Sequence, residues 1–132
     1  MNIEVNNLVQ ARVSKKFIYS ILKKSYFFVK TKKKIDLLSV VLVNESTIRI
    51  INKKYRQQNR VTDILSFDDP AEIMICWKQL VQAAQEQKHS QKQELKILLI
   101  HGLLHILGYN HKQKIEAKKM ERMEIKILSL VK

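Results

Sequence analysis

The sequence predicts an α/β or α+β fold built on one small sheet, and two observations carry that prediction. Apolar residues change period along the chain, from the three-to-four spacing of helices to short runs rich in Val, Ile and Leu. The two kinds of segment alternate, and a helix pair at the C-terminal end is placed to cover one sheet face. At 132 residues the expectation is one domain spanning 1–132. A chain of that size buries roughly two thirds of its unfolded surface, enough for a core without cross-links.

Ile3–Val5 alternates and reads as an edge strand. From about Leu8 to Lys30, Val13, Phe17, Ile18, Ile21, Leu22 and Phe28 recur at helical spacing, with Ser14, Lys15, Lys16, Lys23 and Lys24 toward solvent. Thr31–Lys34 is a basic-polar linker, and Ile35–Val43 reads as a central strand. Asn44-Glu-Ser-Thr opens a second helix, capped by Ser46 or Asn44, with Ile48, Ile50, Ile51 and Tyr55 as its apolar contacts. Thr62–Phe67 reads as a strand, Asp68-Asp-Pro as a turn and Glu72–Cys76 as a compact apolar strand. A third helix, about Trp77–Gln87, packs through Leu80, Val81 and Ala84. Lys88–Gln91 is a polar break in which His89 is read as solvated. A fourth helix runs from about Lys92 to Leu107. The last, about Gln113–Leu130, carries Met120, Met123, Ile127 and Val131 on one stripe. Cys76, Met120 and Met123 are read as core.

Cys76 is the one cysteine, so no intramolecular disulfide forms and the fold needs no oxidising compartment. The first residues lack the basic-then-apolar order of a signal peptide, and no apolar run approaches the ~20 residues of a membrane span. A soluble cytoplasmic protein without membrane contact is the expectation. The formal charge is +13, from 25 basic and 12 acidic residues. Such an excess favours a polyanionic partner through phosphate contacts and counterion release. Lys15, Lys16, Lys23, Lys24 and Lys32–Lys34 are candidates for nonspecific RNA attraction, although a lysine-rich chain also carries such residues simply as a solvated face.

His101-Gly-Leu-Leu-His105-Ile-Leu-Gly108-Tyr-Asn-His111 places three of the four histidines at relative positions 0, 4 and 10. On a helix, His101 and His105 share a face. Gly108 can take the left-handed conformation that ends a helix, after which the chain can return to deliver His111. Three neutral imidazoles with no cysteine nearby leave the fourth position of a tetrahedral zinc ion open, which is a catalytic arrangement. The spacing equals that of the metzincin proteases, which carry a glutamate base directly after the first histidine. Here that position is Gly102, so a peptidase would lack its proton acceptor. A glycine inside a helix also costs ~1 kcal/mol relative to alanine, and its presence implies close packing or space beside the metal.

Two separated segments then meet in one resemblance. His101–His111 resembles the H-G-x-L-H-L-x-G-Y-D-H signature of the YbeY family of rRNA-maturation endoribonucleases. Asn52-Lys-Lys-Tyr-Arg56-Gln-Gln-Asn-Arg-Val-Thr62-Asp63-Ile-Leu-Ser66-Phe67 resembles that family's N-x-x-Y-R and T-D-V-L-S-F. The resemblance covers essentially the whole chain. It implies a four-stranded mixed sheet, about five helices and one zinc ion on His101, His105 and His111. It further implies Arg56 as the functional arginine, with Thr62, Asp63 and Ser66 shaping the loop and strand beside it. A guanidinium suits such a place because its fork grips phosphate oxygens and stabilises transition-state charge.

The implied activity is zinc-dependent cleavage of single-stranded RNA in 16S rRNA 3′-end maturation and ribosome quality control, with small-subunit ribosomal proteins as candidate partners. The rivals are a ribosome-associated assembly factor with a mainly structural metal, and a hydrolase of another phosphoester or a peptide. This chain departs from the family pattern at Asn110, where the family has aspartate before the third histidine. It departs again at Asp68 in place of proline, and at Ala71-Glu72 in place of Gly-Asp.

Overall fold

The computed structural model describes residues 1–131. Its elements are β1 (Asn2–Asn7), α1 (Lys15–Val29), β2 (Leu37–Val43), α2 (Glu45–Arg56), β3 (Ile64–Asp68) and β4 (Ala71–Cys76), followed by α3 (Trp77–Glu86), α4 (Gln91–Ile106) and α5 (Lys114–Leu130). The four strands form one mixed sheet in the order β1-β2-β4-β3. β1 and β4 flank β2 and run parallel to it, while β3 pairs antiparallel with β4 through a two-residue turn at Asp69-Pro70. This is the expected α/β class, with β1 at an edge and β2 at the centre. None of the helices described is long and apolar enough to cross a membrane.

β2 and β4 are apolar except for Ser39 and Glu72 because both sheet faces are covered. Leu38, Val40 and Leu42 of β2, with Ile73 and Ile75 of β4, face the larger core, which α1, α3, α4 and α5 complete. The alternate residues Val41, Val43, Met74 and Cys76 join Ile48 of α2 and Leu65 of β3 on the other face. α4 runs through the middle of the larger layer. Its buried positions include Leu95, Leu98, Leu99, Ile100, Leu103, Leu104 and Ile106, so it is apolar nearly all round, as an enclosed helix must be. The metal segment is therefore mounted on the best-buried helix in the protein.

Several local expectations need correction. The first helix begins at Lys15, not near Leu8. Ser14 is its N-cap, with Oγ accepting from the Phe17 N–H at 3.2 Å. The preceding loop is held by Asn7, whose Oδ1 accepts from Ala11 N at 3.0 Å while its Nδ2 donates to Ala11 O at 2.8 Å. That side-chain turn competes with a helix that periodicity alone would extend. In α2, Asn44 is the cap, accepting from Thr47 N at 2.9 Å, and Ser46 donates its hydroxyl to Asn44. Ile48 is buried, but Ile50 is 65% and Tyr55 50% exposed, so the apolar face of α2 is narrower than its composition. His89 is not simply solvated: it sits 2.6 Å from Glu94, a buried carboxylate in the first turns of α4. Cys76 and Met120 are fully buried, and Met123 packs partly buried against the core.

Candidate metal centre

His101 and His105 lie one helical turn apart at the C-terminal end of α4. The helix stops in a Schellman arrangement: Gly108 N–H donates to His105 O at 3.0 Å and Tyr109 N–H to Leu104 O at 3.0 Å. Gly108 has φ +103°, a conformation that side chains rarely adopt. The chain reverses there, and Asn110 tightens the return by accepting from Lys112 N at 3.0 Å. The side chain of Asn110 is thus engaged in the turn that delivers His111.

The three imidazoles converge. Their ring centroids are separated by 4.7, 5.3 and 5.4 Å, and each offers a nitrogen within 4.8 Å of the others. The Nε2 atoms of His101 and His105 are 3.1 Å apart, close to the ~3.4 Å edge expected between two nitrogens of a tetrahedral ion with bonds of about 2.1 Å. His101 Nδ1 lies 3.0 Å from Glu124 Oε1 of α5. Donation of Nδ1–H to that carboxylate leaves the Nε2 lone pair free toward the centre, the tautomer a metal ligand requires. Burial, reinforced by the positive charge that His101 and His111 acquire on protonation, holds the pKa of His105 below its ordinary value, favouring the neutral ring. The donor set, three neutral nitrogens with a carboxylate behind one of them, suits a divalent first-row cation.

Gly102 points elsewhere. A Cβ there would come within 3.1 Å of Ile64 and Ile73 side-chain carbons, so the glycine lets α4 settle onto β3 and β4. Close packing against the sheet, not room beside the metal, accounts for it.

Arg56 ends α2. Its Nη2 donates to Ser66 O at 2.7 Å, and its guanidinium lies 4.8 Å from the centroid of the Phe67 ring. A carbonyl and an aromatic face thus fix a side chain that would otherwise sweep through solvent. A cleft of about 480 Å³ is lined by Arg56, Phe67, Asp68, Asp69, His101 and His105 among others. Arg56 and two of the three histidines, 45 or more positions apart in sequence, therefore share one cavity, while His111 is exposed outside its lining. Asp63 serves locally: its carbonyl accepts from Cys76 N at 2.9 Å and ties the start of β3 to the end of β4.

The residue that periodicity missed is Glu124. Its signal was a carboxylate on the apolar stripe of the last helix, four residues after Met120 and three before Ile127. One lysine of the basic set is also committed, since Lys33 Nζ donates to Ile106 O at 2.6 Å and satisfies the C-terminal end of α4.

The chain is similar to known proteins along its whole length. A protein from Thermodesulfovibrio yellowstonii named Endoribonuclease YbeY is 36% identical, the match covering 97% of this chain and 95% of that one. One of the same name from Ureaplasma parvum is 34% identical, with coverage of 100% and 93%. The solution structure of TM1509 from Thermotoga maritima superposes with a TM-score of 0.69 at 27% identity, covering 98% of this chain and 88% of that one. A family profile described as Endoribonuclease YbeY matches residues 2–132. With that match and relatives above one-third identity across nearly their full length, the chain belongs to the Endoribonuclease YbeY family.

Proposed function

We propose that residues 1–132 act as one metallo-endoribonuclease domain that cleaves single-stranded RNA, with zinc as the ion held by His101, His105 and His111. The observation that carries this proposal is the cleft in which Arg56 stands beside His101 and His105. Held by His101, His105 and His111, such an ion would supply Lewis acidity toward water and phosphoryl oxygen. The protein's own groups do the rest. Glu124 orients His101, burial lowers the pKa of His105, and the sheet beneath Gly102 fixes α4 against movement. Arg56 grips a non-bridging phosphate oxygen and offsets the charge that builds in the transition state. The absence of a carboxylate at position 102 disfavours peptide hydrolysis, because the proton acceptor that follows the first histidine in the metzincin pattern is missing.

We extend the proposal to a role in 16S rRNA 3′-end maturation and ribosome quality control in the cytoplasm, with small-subunit ribosomal proteins as the expected partners, in keeping with membership of the Endoribonuclease YbeY family. The formal charge of +13 fits a polyanionic substrate. A panel of single-stranded rRNA fragments, duplex RNA, a phosphomonoester and a peptide separates this activity from its rivals. Cleavage confined to the single strands is expected. Arg56→Ala should retain metal and fold yet cut at least about 100-fold more slowly. Full activity in Arg56→Ala, or peptide cleavage by the wild type, would overturn the proposal.

A further inference from the structure

α2 carries its core-facing residues Ile48, Ile51 and Asn52 along one side, and Tyr55 continues that side three residues beyond Asn52. Tyr55 nevertheless stays 50% exposed. It meets Phe67 edge-to-face, ring centroids 5.6 Å apart and planes at 72°. Phe67 in turn lies under the Arg56 guanidinium and lines the same cleft as His101 and His105. Lys54 Nζ lies over the Tyr55 ring, 5.2 Å from its centroid. Cation, aromatic, aromatic and cation thus follow one another from the helix surface into the cleft.

Lys53, Lys54, Arg56 and nearby Arg60 have no carboxylate within ion-pair distance among the described residues. Charge at a helix C-terminus is favourable in itself. That accounts for the lysines but not for a half-exposed tyrosine edge-on to a cleft-lining phenylalanine.

We propose that Tyr55, backed by Phe67 and flanked by Lys54 and Arg56, is a stacking platform for one nucleobase next to the phosphate held at Arg56. Single-stranded RNA offers unpaired π-faces joined by phosphates. An aromatic ring between two unpaired cations is complementary to that repeat, because bases stack on the ring while the cations meet the flanking phosphates. Duplex RNA hides those faces, so the platform would also give the cleft its preference for single strands. A stacking contact tolerates any base, which suits cleavage placed by context more than by base identity. The assignment rests on the ribonuclease reading for its location but not for its test, since binding is measured without cleavage.

The experiment is fluorescence anisotropy of a labelled ten-nucleotide RNA, at low temperature, with the purified protein and with Tyr55→Ala, Tyr55→Phe and Tyr55→Trp. Melting curves verify that each variant is folded. Tyr55→Ala should weaken binding roughly tenfold, while Phe and Trp should keep it near wild type. An abasic nucleotide moved stepwise along the oligomer should cost the wild type the same factor at one position and cost Tyr55→Ala nothing further there. Unchanged affinity in folded Tyr55→Ala would overturn the platform and assign the aromatic pair to packing or to a protein partner. Loss of affinity that Phe and Trp do not restore would overturn it too. Tyr55-dependent binding by a protein that cleaves no RNA would leave the platform standing while the endoribonuclease reading fails.

Discussion

Glu124 decides what His101 can do. By accepting from Nδ1 it directs the lone pair of Nε2 toward His105 and His111, and removing such an outer partner typically costs 10–100-fold in metal affinity. Glu124→Gln should lower zinc affinity by about that factor in a chelator competition with little change in melting temperature, whereas Glu116→Gln should leave it unchanged. His105 adds a pH dependence. Its folded-state pKa is lowered from the ordinary 6.5, so the unfolded chain takes up a proton that the folded site resists. Stability linked to this group is present above that value and is lost as pH falls through and below it. Denaturant midpoints of metal-free protein at pH 7.5 and 5.5 should therefore drop less in His105→Gln than in wild type. None of this could be read locally, because His101 and Glu124 are 23 positions apart and only the packing of α4 on α5 brings them together.

At the scale of elements, α4 was the most legible part of the chain. A polar break before it, an apolar body interrupted only by Lys96, His101, Gly102 and His105, and a glycine at the helix end are strong local signals, and Gly108 ends the helix in the way that Gly alone allows easily. Close packing was one of two reasons the sequence offered for Gly102, and choosing it over space beside the metal needed the fold, because its neighbours Ile64 and Ile73 come from two strands. Its Cβ contacts near 3.1 Å yield a specific expectation. Gly102→Ala gains ~1 kcal/mol of helix propensity but meets overpacking of about 1–3 kcal/mol, for a net loss of roughly 1 kcal/mol by urea unfolding. Gly102→Glu should be more destabilising than Gly102→Ala in the same urea unfolding, because its Cβ meets the Ile64 and Ile73 side chains at the same short distance and brings a larger side chain with it. The over-long first helix has a different cause. The Asn7 side chain offers the backbone at Ala11 a hydrogen-bonded alternative to helix, and apolar periodicity does not register such competition. Tyr55 was misplaced for a third reason: helix periodicity says which side a residue occupies but not how much of it the neighbouring strand covers.

For the whole molecule, the mixed sheet acts as the frame on which two distant segments are brought to one cleft. α2 hands in Arg56 from one face and α4 hands in His101 and His105 from the other, while β3, packed against α4, carries the Ser66 carbonyl and Phe67 ring that hold Arg56. Each motif was visible in the sequence, but their meeting depends on β3 lying at the sheet edge beside β4. The charge of +13 acts at this scale too. The logarithm of the affinity for single-stranded RNA should fall linearly with log salt, with a slope near −0.7 for each phosphate neutralised, and Lys54→Gln should make that slope shallower by roughly one such contact. A salt-independent affinity would remove the electrostatic part of the account.

The most direct test of the central claim is a metal titration of RNA cleavage. Protein stripped with chelator is supplied with zinc in steps, and the initial cleavage rate of a single-stranded rRNA fragment is followed against bound zinc per chain. The rate should rise from near zero and saturate at one ion per chain, and His105→Ala should neither bind that ion nor cleave. Cleavage that persists undiminished in the stripped protein, or that is equal in wild type and His105→Ala, would contradict it.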